Sequence, residues 1–288
     1  MAISADQLMR GTTQVSSLPD LYQRLDEAID APNSSFAHIG KIVADDTGFT
    51  ARLLRIANSA LYNFPSKIET VDRAMSIIGT KQLRELALAT TVIRMFKGME
   101  NSLVSMESFW RHSLCCGAAA RVIATARREN NIERFFVLGM LHDIGRLVMY
   151  NRIPEVCGEI IDEARRDSRL LFEVEKERLG FNHADIGRLL LQTWKLPKAQ
   201  VEAVGYHHVP HVAQHYPLDA AVVHVADVIA NAFQCGTSGE RYVPRFNAEA
   251  WQRLELSESQ LSSIVAYTDE QSREAIKLFL DDDASNGN

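Results

Sequence analysis

No stretch of this chain sustains the alternation of apolar and polar residues that a half-buried strand needs, while apolar residues recur at helical spacing through most of its length. The pattern predicts an all-α protein made of short helices with identifiable caps. Pro19 stands at a plausible first helical position before Leu21, Leu25 and Ile29. A turn through Asp30–Asn33 follows, and Ser34-Ser35 can cap a helix that holds Ile39, Ile42 and Val43. The next helix carries Leu53, Leu54, Ile56 and Ala57 and ends near Asn58-Ser59. Beyond a loop through Pro65, Thr70 caps a helix that Gly79 stops, and Thr80 starts another through Leu83, Leu86, Ala87 and Val92.

A polar stretch from Lys97 to Ser102 reads as a linker. After it, a helix beginning at about Ser108 carries Trp110, His112 and the small-residue run Gly117–Ala120, where helices can approach closely. A second runs from Glu133 through Leu141 and the pair His142-Asp143. Gly139 and Gly145 cost about 1 kcal/mol each relative to Ala in a helix, and we read them as points of close backbone approach. Asn182 caps the helix bearing His183, Ile186, Leu189 and Leu190. His207-His208 closes the following one, and Asp227 lies midway along an apolar helix. Two further helices span Ala248–Leu256 and Leu261–Leu280.

These positions outline a metal site. His142-Asp143-Ile144-Gly145 places an imidazole beside a carboxylate, and His112, His183, His207, His208 and Asp227 follow on separate helical segments. Imidazole nitrogen with carboxylate oxygen is the donor set of Fe, Mn and Zn sites, and one carboxylate can bridge two ions. His211 and His215 fall in a loop before Pro217, and His224 precedes Asp227 by less than a turn. We read these three as surface groups or as supports behind the ligands.

Composition bounds the rest. The chain has 288 residues, 46% hydrophobic and 24% charged, which is ordinary for a globular protein. It shows neither an apolar run of about eighteen residues nor a signal-like start, so a cytoplasmic location is expected, with no membrane contact. The cysteines, the adjacent Cys115-Cys116 and the isolated Cys157 and Cys235, lack zinc-ribbon spacing and read as reduced, mostly buried thiols. A net charge of −6 argues against general nucleic-acid binding. The charge is uneven. Arg52, Arg55, Lys67, Arg73, Lys81, Arg84, Arg94 and Lys97 against Glu69, Asp72 and Glu85 give the span 51–97 a charge of +5 and leave −11 elsewhere. This asymmetry marks a candidate docking face.

The half from Ser108 to Asn231 resembles the HD superfamily of metal-dependent phosphohydrolases. The span from about Leu18 to Asn231, three quarters of the chain, resembles the HDOD domain of bacterial signalling proteins. The residues that carry this are Leu18-Pro19, the runs Ala51–Ser59 and Ala74–Gly79, Phe109–Ser113, Gly139–Gly145, Gly180–Gly187 with Trp194–Pro197, Tyr206-His207-His208 and His224–Asp227. The resemblance implies a two-lobed helical bundle. Residues 1–17 would be an N-terminal extension, 18–100 the first lobe, 101–235 the metal-site lobe, 236–280 C-terminal helices and 281–288 an acidic tail. The related HD-GYP cyclic-di-GMP phosphodiesterases carry a lysine where Arg146 stands and a glutamate where Val209 stands, and the Gly-Tyr-Pro that names them is lacking after His208.

Two functions follow from the resemblance. In the first, the chain is a regulatory or output module of signal transduction. It docks a signalling protein through the basic surface, with Arg52, Arg55 and Arg73 foremost, or through an apolar face near Tyr62 and Phe64. No receiver, cyclase or kinase segment is read in this chain, so a signal would arrive from another chain or a ligand. In the second, the chain hydrolyses a phosphoester such as a nucleotide or cyclic dinucleotide. His112, His142, Asp143 and Asp227 would hold one ion, and Asp143 would bridge to a second held by His183, His207 and His208. Asp143 and Arg146 would then be the catalytic pair, the ions activating water and Arg146 stabilising developing charge.

Overall fold

In the computed structural model, residues 3–10, 17–33, 35–59, 67–96, 99 and 102–280 are described. Tyr62, Phe64 and Pro65, Ser34, the linker residues Lys97, Gly98, Glu100 and Asn101, and the tail 281–288 lie outside them. Among the described residues every regular element is helical, as the periodicity predicts. In chain order they are α1 (Ala5–Arg10), α2 (Asp20–Asp30), α3 (Phe36–Ala44), α4 (Thr47–Ala57), α5 (Val71–Ile78), α6 (Thr80–Phe96), α7 (Met106–Ala126) and α8 (Ile132–Leu141). There follow α9 (Ile144–Arg152), α10 (Pro154–Arg166), α11 (Leu171–Leu179), α12 (His183–Thr193), α13 (Lys198–Tyr206), α14 (Pro217–Phe233), α15 (Ala248–Leu254) and α16 (Glu258–Leu280).

Local chemistry sets most of these boundaries. Ser35 caps α3 by accepting from the His38 amide, Thr70 caps α5 through Arg73, and Gly79, at φ +92°, ends α5 in a conformation that a side chain would strain. Asn182 and Asp185 form a reciprocal capping box at the start of α12. Several expected boundaries move. Pro19 lies just before α2 and not inside it, because its extended backbone at ψ 148° brings the chain into the helix. The cap of α7 is Ser105, whose hydroxyl accepts from the Ser108 amide at 3.1 Å, so the helix starts at Met106. The helix expected through His142-Asp143 breaks there, His142 ending α8 and Asp143 preceding α9. Adjacent residues of an unbroken helix point about 100° apart; the break lets both side chains reach one centre.

Helices α2–α6 pack together as one lobe, and α6 connects it to α8. In the other lobe α7 is the central rod, lying against α8, α14 and α16. The first and last helices join this lobe: α1 packs on α9 and α12 with Leu8 fully buried, and Phe279 of α16 stacks on Phe136 of α8 at 5.7 Å. Two close crossings matter for function. At the first, a Cβ on Gly139 would lie 2.5 Å from the Cys116 carbonyl oxygen and one on Gly117 would lie 2.7 Å from that of Phe136, so α7 and α8 meet backbone to backbone. At the second, Gly145 of α9 lies directly against the His183 carbonyl of α12 and 2.6 Å, by the same measure, from the Gly187 amide. Both glycines serve the close approach read from the sequence.

In the first lobe much of the basic charge is already paired. Arg84 bonds to Asp26 at 3.2 Å and Asp30 at 2.9 Å, Arg94 bonds to Asp46 at 3.0 Å, and Lys67 lies 3.4 Å from Glu69. The +5 surplus therefore shrinks as a docking surface, because acidic residues outside the span 51–97 fold back onto it.

Candidate metal centre

The two glycine crossings deliver the ligands in pairs. Where α7 meets α8, His112 Nε2 comes within 3.3 Å of His142 Nε2. Where α9 meets α12, His183 Nε2 comes within 2.9 Å of Asp143 Oδ1. From α14, Asp227 Oδ1 joins the first pair at 3.5 Å from His112 and 3.3 Å from His142. The end of α13 adds His207, 3.9 Å from Asp143 Oδ1, and His208, 2.9 Å from His183 Nε2. All seven sequence-predicted ligands thus converge in two clusters: His112, His142 and Asp227, and Asp143, His183, His207 and His208. Asp143 faces both, its Oδ2 lying 3.6 Å from His112 and 3.3 Å from His142 while Oδ1 faces the second cluster.

The hydrogen bonds behind the ligands show what the clusters lack. His142 Nδ1 donates to the Gly139 carbonyl and His207 Nδ1 to the Val204 carbonyl, both at 2.7 Å, while His183 Nδ1 donates to Glu175 Oε2 at 2.6 Å. Since these acceptors carry no proton, each neutral ring keeps its lone pair on Nε2, directed at the carboxylates. Where the rings are neutral, lone pair then faces lone pair in a dry interior. His207 Nε2 and Asp143 Oδ1 are buried without a hydrogen-bond partner, and such groups call for a cation. Two donors about 2.1 Å from one ion lie roughly 3.0–3.5 Å apart at octahedral or tetrahedral angles, close to the separations in the first cluster. The residues fit a pair of divalent ions.

Electrostatics agrees. Burial opposes ionisation of Asp143 and Asp227, but Arg146 and the imidazoles around Asp143, and His142 and His112 beside Asp227, hold both carboxyls well below the usual range. Burial, reinforced by neighbouring imidazoles, pushes His207 down to about 3 and His208 down with it, so both are neutral donors. Burial also opposes charge on His112, His142 and His183, yet the adjoining carboxylates raise all three. A divalent ion would take the place of those protons.

Three supporting groups went unmarked in the sequence. Glu175 of α11, 2% exposed, binds both the ring and the backbone amide of His183, the latter at 2.9 Å. Ser238, fully buried, donates to Asp143 Oδ2 and accepts from Arg146 Nη1 at 2.5 Å, while Tyr150 donates to its carbonyl at 2.7 Å. Asn231 donates to Asp227 Oδ1 at 2.7 Å. Arg146 itself, 1% exposed, lies among Asp143 at 3.3 Å, Glu175 at 3.6 Å and Ser238. His224 stands behind the ligands, its Nδ1 2.8 Å from the His207 carbonyl, whereas His211 and His215 are exposed, His215 against Glu202 at 2.6 Å. A cavity of about 490 Å³, lined by Phe172, Glu173, Lys176, Glu177, Asp185 and His208, reaches the second cluster. Phe172 stacks flat on the His208 ring at 4.0 Å and closes that approach.

Fold and site define a two-lobed helical protein with an HD-type His/Asp centre. The HDOD domain family matches residues 15–210, and the chain belongs to it. Six of the seven ligand positions fall within that match, and Asp227 lies beyond it. Over 96% of this chain and 97% of the other, the fold is that of an HDOD domain protein of unknown function from Geobacter sulfurreducens, at 23% identity and a TM-score of 0.80. A Shewanella amazonensis SB2B protein, named for a proposed phosphohydrolase activity, is 25% identical over 94% of this chain and 97% of its own, with a TM-score of 0.74. An uncharacterised Treponema pallidum (strain Nichols) protein is 23% identical over 256 residues, and the chain spans about half of that protein's length. No described helix is long and apolar enough to cross a membrane.

Proposed function

We propose that this HDOD protein is a regulatory module of signal transduction built round a closed two-ion centre that serves the fold rather than turnover. The observation that carries this reading is closure. His112, His142, Asp143, His183, His207 and Asp227 are 0–3% exposed, and Phe172 covers His208, the one ligand that is only partly buried. Structural metal sites are closed, whereas catalytic ones keep a position open to substrate. Arg146 is spent on Asp143, Glu175 and Ser238, so its role here is to position the bridging carboxylate. Iron, manganese and zinc all suit this donor set. A signalling protein would dock on the exposed part of the basic face, where Arg73 lies. An Arg73→Glu variant should then lose partner capture in a pull-down, and undiminished capture would remove that face from the account.

The cavity beside His208 favours a second reading, phosphoester hydrolysis, the activity proposed in the Shewanella protein's name. Bound ions would supply Lewis acidity and activated water. For that role Phe172 has to leave His208, and a phosphate has to tolerate Glu173, Glu177 and Asp185 with Lys176 as the nearby cation. The deciding experiment assays metal-loaded protein against nucleotides and cyclic dinucleotides beside Asp143→Ala. We expect equal, background rates; turnover that disappears in the variant would establish the hydrolase instead.

A further inference from the structure

Cys115 and Cys235 lie on the two sides of the contact between α7 and the strap that follows α14. Gly236 and Thr237 of the strap lie on the first turns of α7: a Cβ on Gly236 would stand 2.9 Å from Arg111 Cβ, and the Thr237 amide donates to Ser108 Oγ at 3.0 Å. One turn further along α7 is Cys115, fully buried in the cluster against which the half-buried Cys235 packs. Cys235 directly precedes Gly236, so the strap brings its side chain onto the same side of α7 as Cys115. The neighbouring Cys115 thiol lowers the Cys235 thiol, whereas Cys235 and burial raise Cys115. Three residues beyond Cys235, Ser238 grips Asp143 and Arg146.

We propose that Cys115 and Cys235 form a reversible thiol–disulfide switch in the strap that closes the metal centre, with a peroxide as oxidant. The accessible Cys235 thiolate attacks one peroxide oxygen, breaking the O–O bond and releasing hydroxide, which leaves as water after taking a proton. The Cys115 sulfur then attacks the Cys235 sulfenic acid, and the departing hydroxyl takes the Cys115 proton as a second water. Two thiols lose two electrons in all, and hydrogen peroxide becomes two waters. A dithiol reductant restores the pair. Cys116 and Cys157 are buried, and burial raises both, so they stay reduced as internal controls.

The test treats the full chain with hydrogen peroxide and counts free thiols, then maps peptides without reduction. We expect four thiols to fall to two and a Cys115–Cys235 cross-link that survives Cys116→Ala but not Cys115→Ala or Cys235→Ser. Unchanged thiol counts, links between chains, or sulfinic acid at Cys235 without a cross-link would each overturn the proposal. A second arm, which rests on the metal-centre reading, measures release of bound manganese or zinc to a chelator. Oxidation should change that rate several-fold in the parent and not in Cys235→Ser; an equal rate would disprove the coupling to the centre while leaving the thiol mapping to be judged separately.

Discussion

The residues that converge in the two clusters were legible in the sequence because histidine beside aspartate is rare enough to notice and the remaining histidines fall on separate helical segments. Their supports were not. Glu175 sits in the run Glu173-Val174-Glu175-Lys176-Glu177, where nothing separates it from neighbours that face solvent. Ser238 lies in a strap with no periodic signal, and only the folded chain sets it on Asp143. Yet Glu175 decides the His183 tautomer, so Glu175→Gln, which can donate where a carboxylate only accepts, should weaken metal affinity by about 10–100-fold with the fold intact. Equilibrium metal titration of the variant checks this, and an unchanged affinity would reduce Glu175 to a packing role.

At the level of elements, caps and stops were readable wherever a side chain makes the boundary, as at Ser35, Thr70, Gly79 and Asn182. The break between α8 and α9 was hidden, because Leu141, His142, Asp143 and Ile144 would all be tolerated inside one helix; the crossing of α9 on α12 turns the chain there. Gly145→Ala should cost about 3 kcal/mol, since its methyl would meet backbone atoms of His183 and Gly187 that cannot rotate away. Asn182→Ala, which removes only one side of the capping box, should cost about 1 kcal/mol. Urea unfolding of both variants tests the order: if Gly145→Ala cost no more than Asn182→Ala, the close crossing would not be what places Asp143.

Over the whole molecule, the all-helical bundle followed from the periodicity, but the docking of α1 and α16 onto the metal-site lobe did not, since apolar faces do not name their partners. A polar junction joins the two lobes, where Gln200 of α13 donates to the buried Glu85 of α6 at 3.0 Å. Burial, against the opposing pull of Arg84 and Arg134, pushes Glu85 up to about 7 from 4.5. The folded chain therefore keeps a proton that the unfolded chain gives up near pH 4.5. This contribution is complete below that pH, declines as the pH rises to about 7, and stays lost above it. Glu85→Gln should be more stable than the parent by about 1–3 kcal/mol at pH 8 and nearly equal to it at pH 4.5. A pH-independent difference would contradict the assignment. Because a bound ion stabilises only the folded chain, chelation should lower the Tm by on the order of 10 °C.

Whether the two clusters share Asp143 around divalent ions is decided by metal analysis of protein purified without affinity metal or chelator, with Asp143→Ala in parallel. The parent should carry close to two equivalents of iron, manganese or zinc, and the variant should lose both. A folded parent free of metal, which also fails to take up added manganese or zinc, would contradict that sharing.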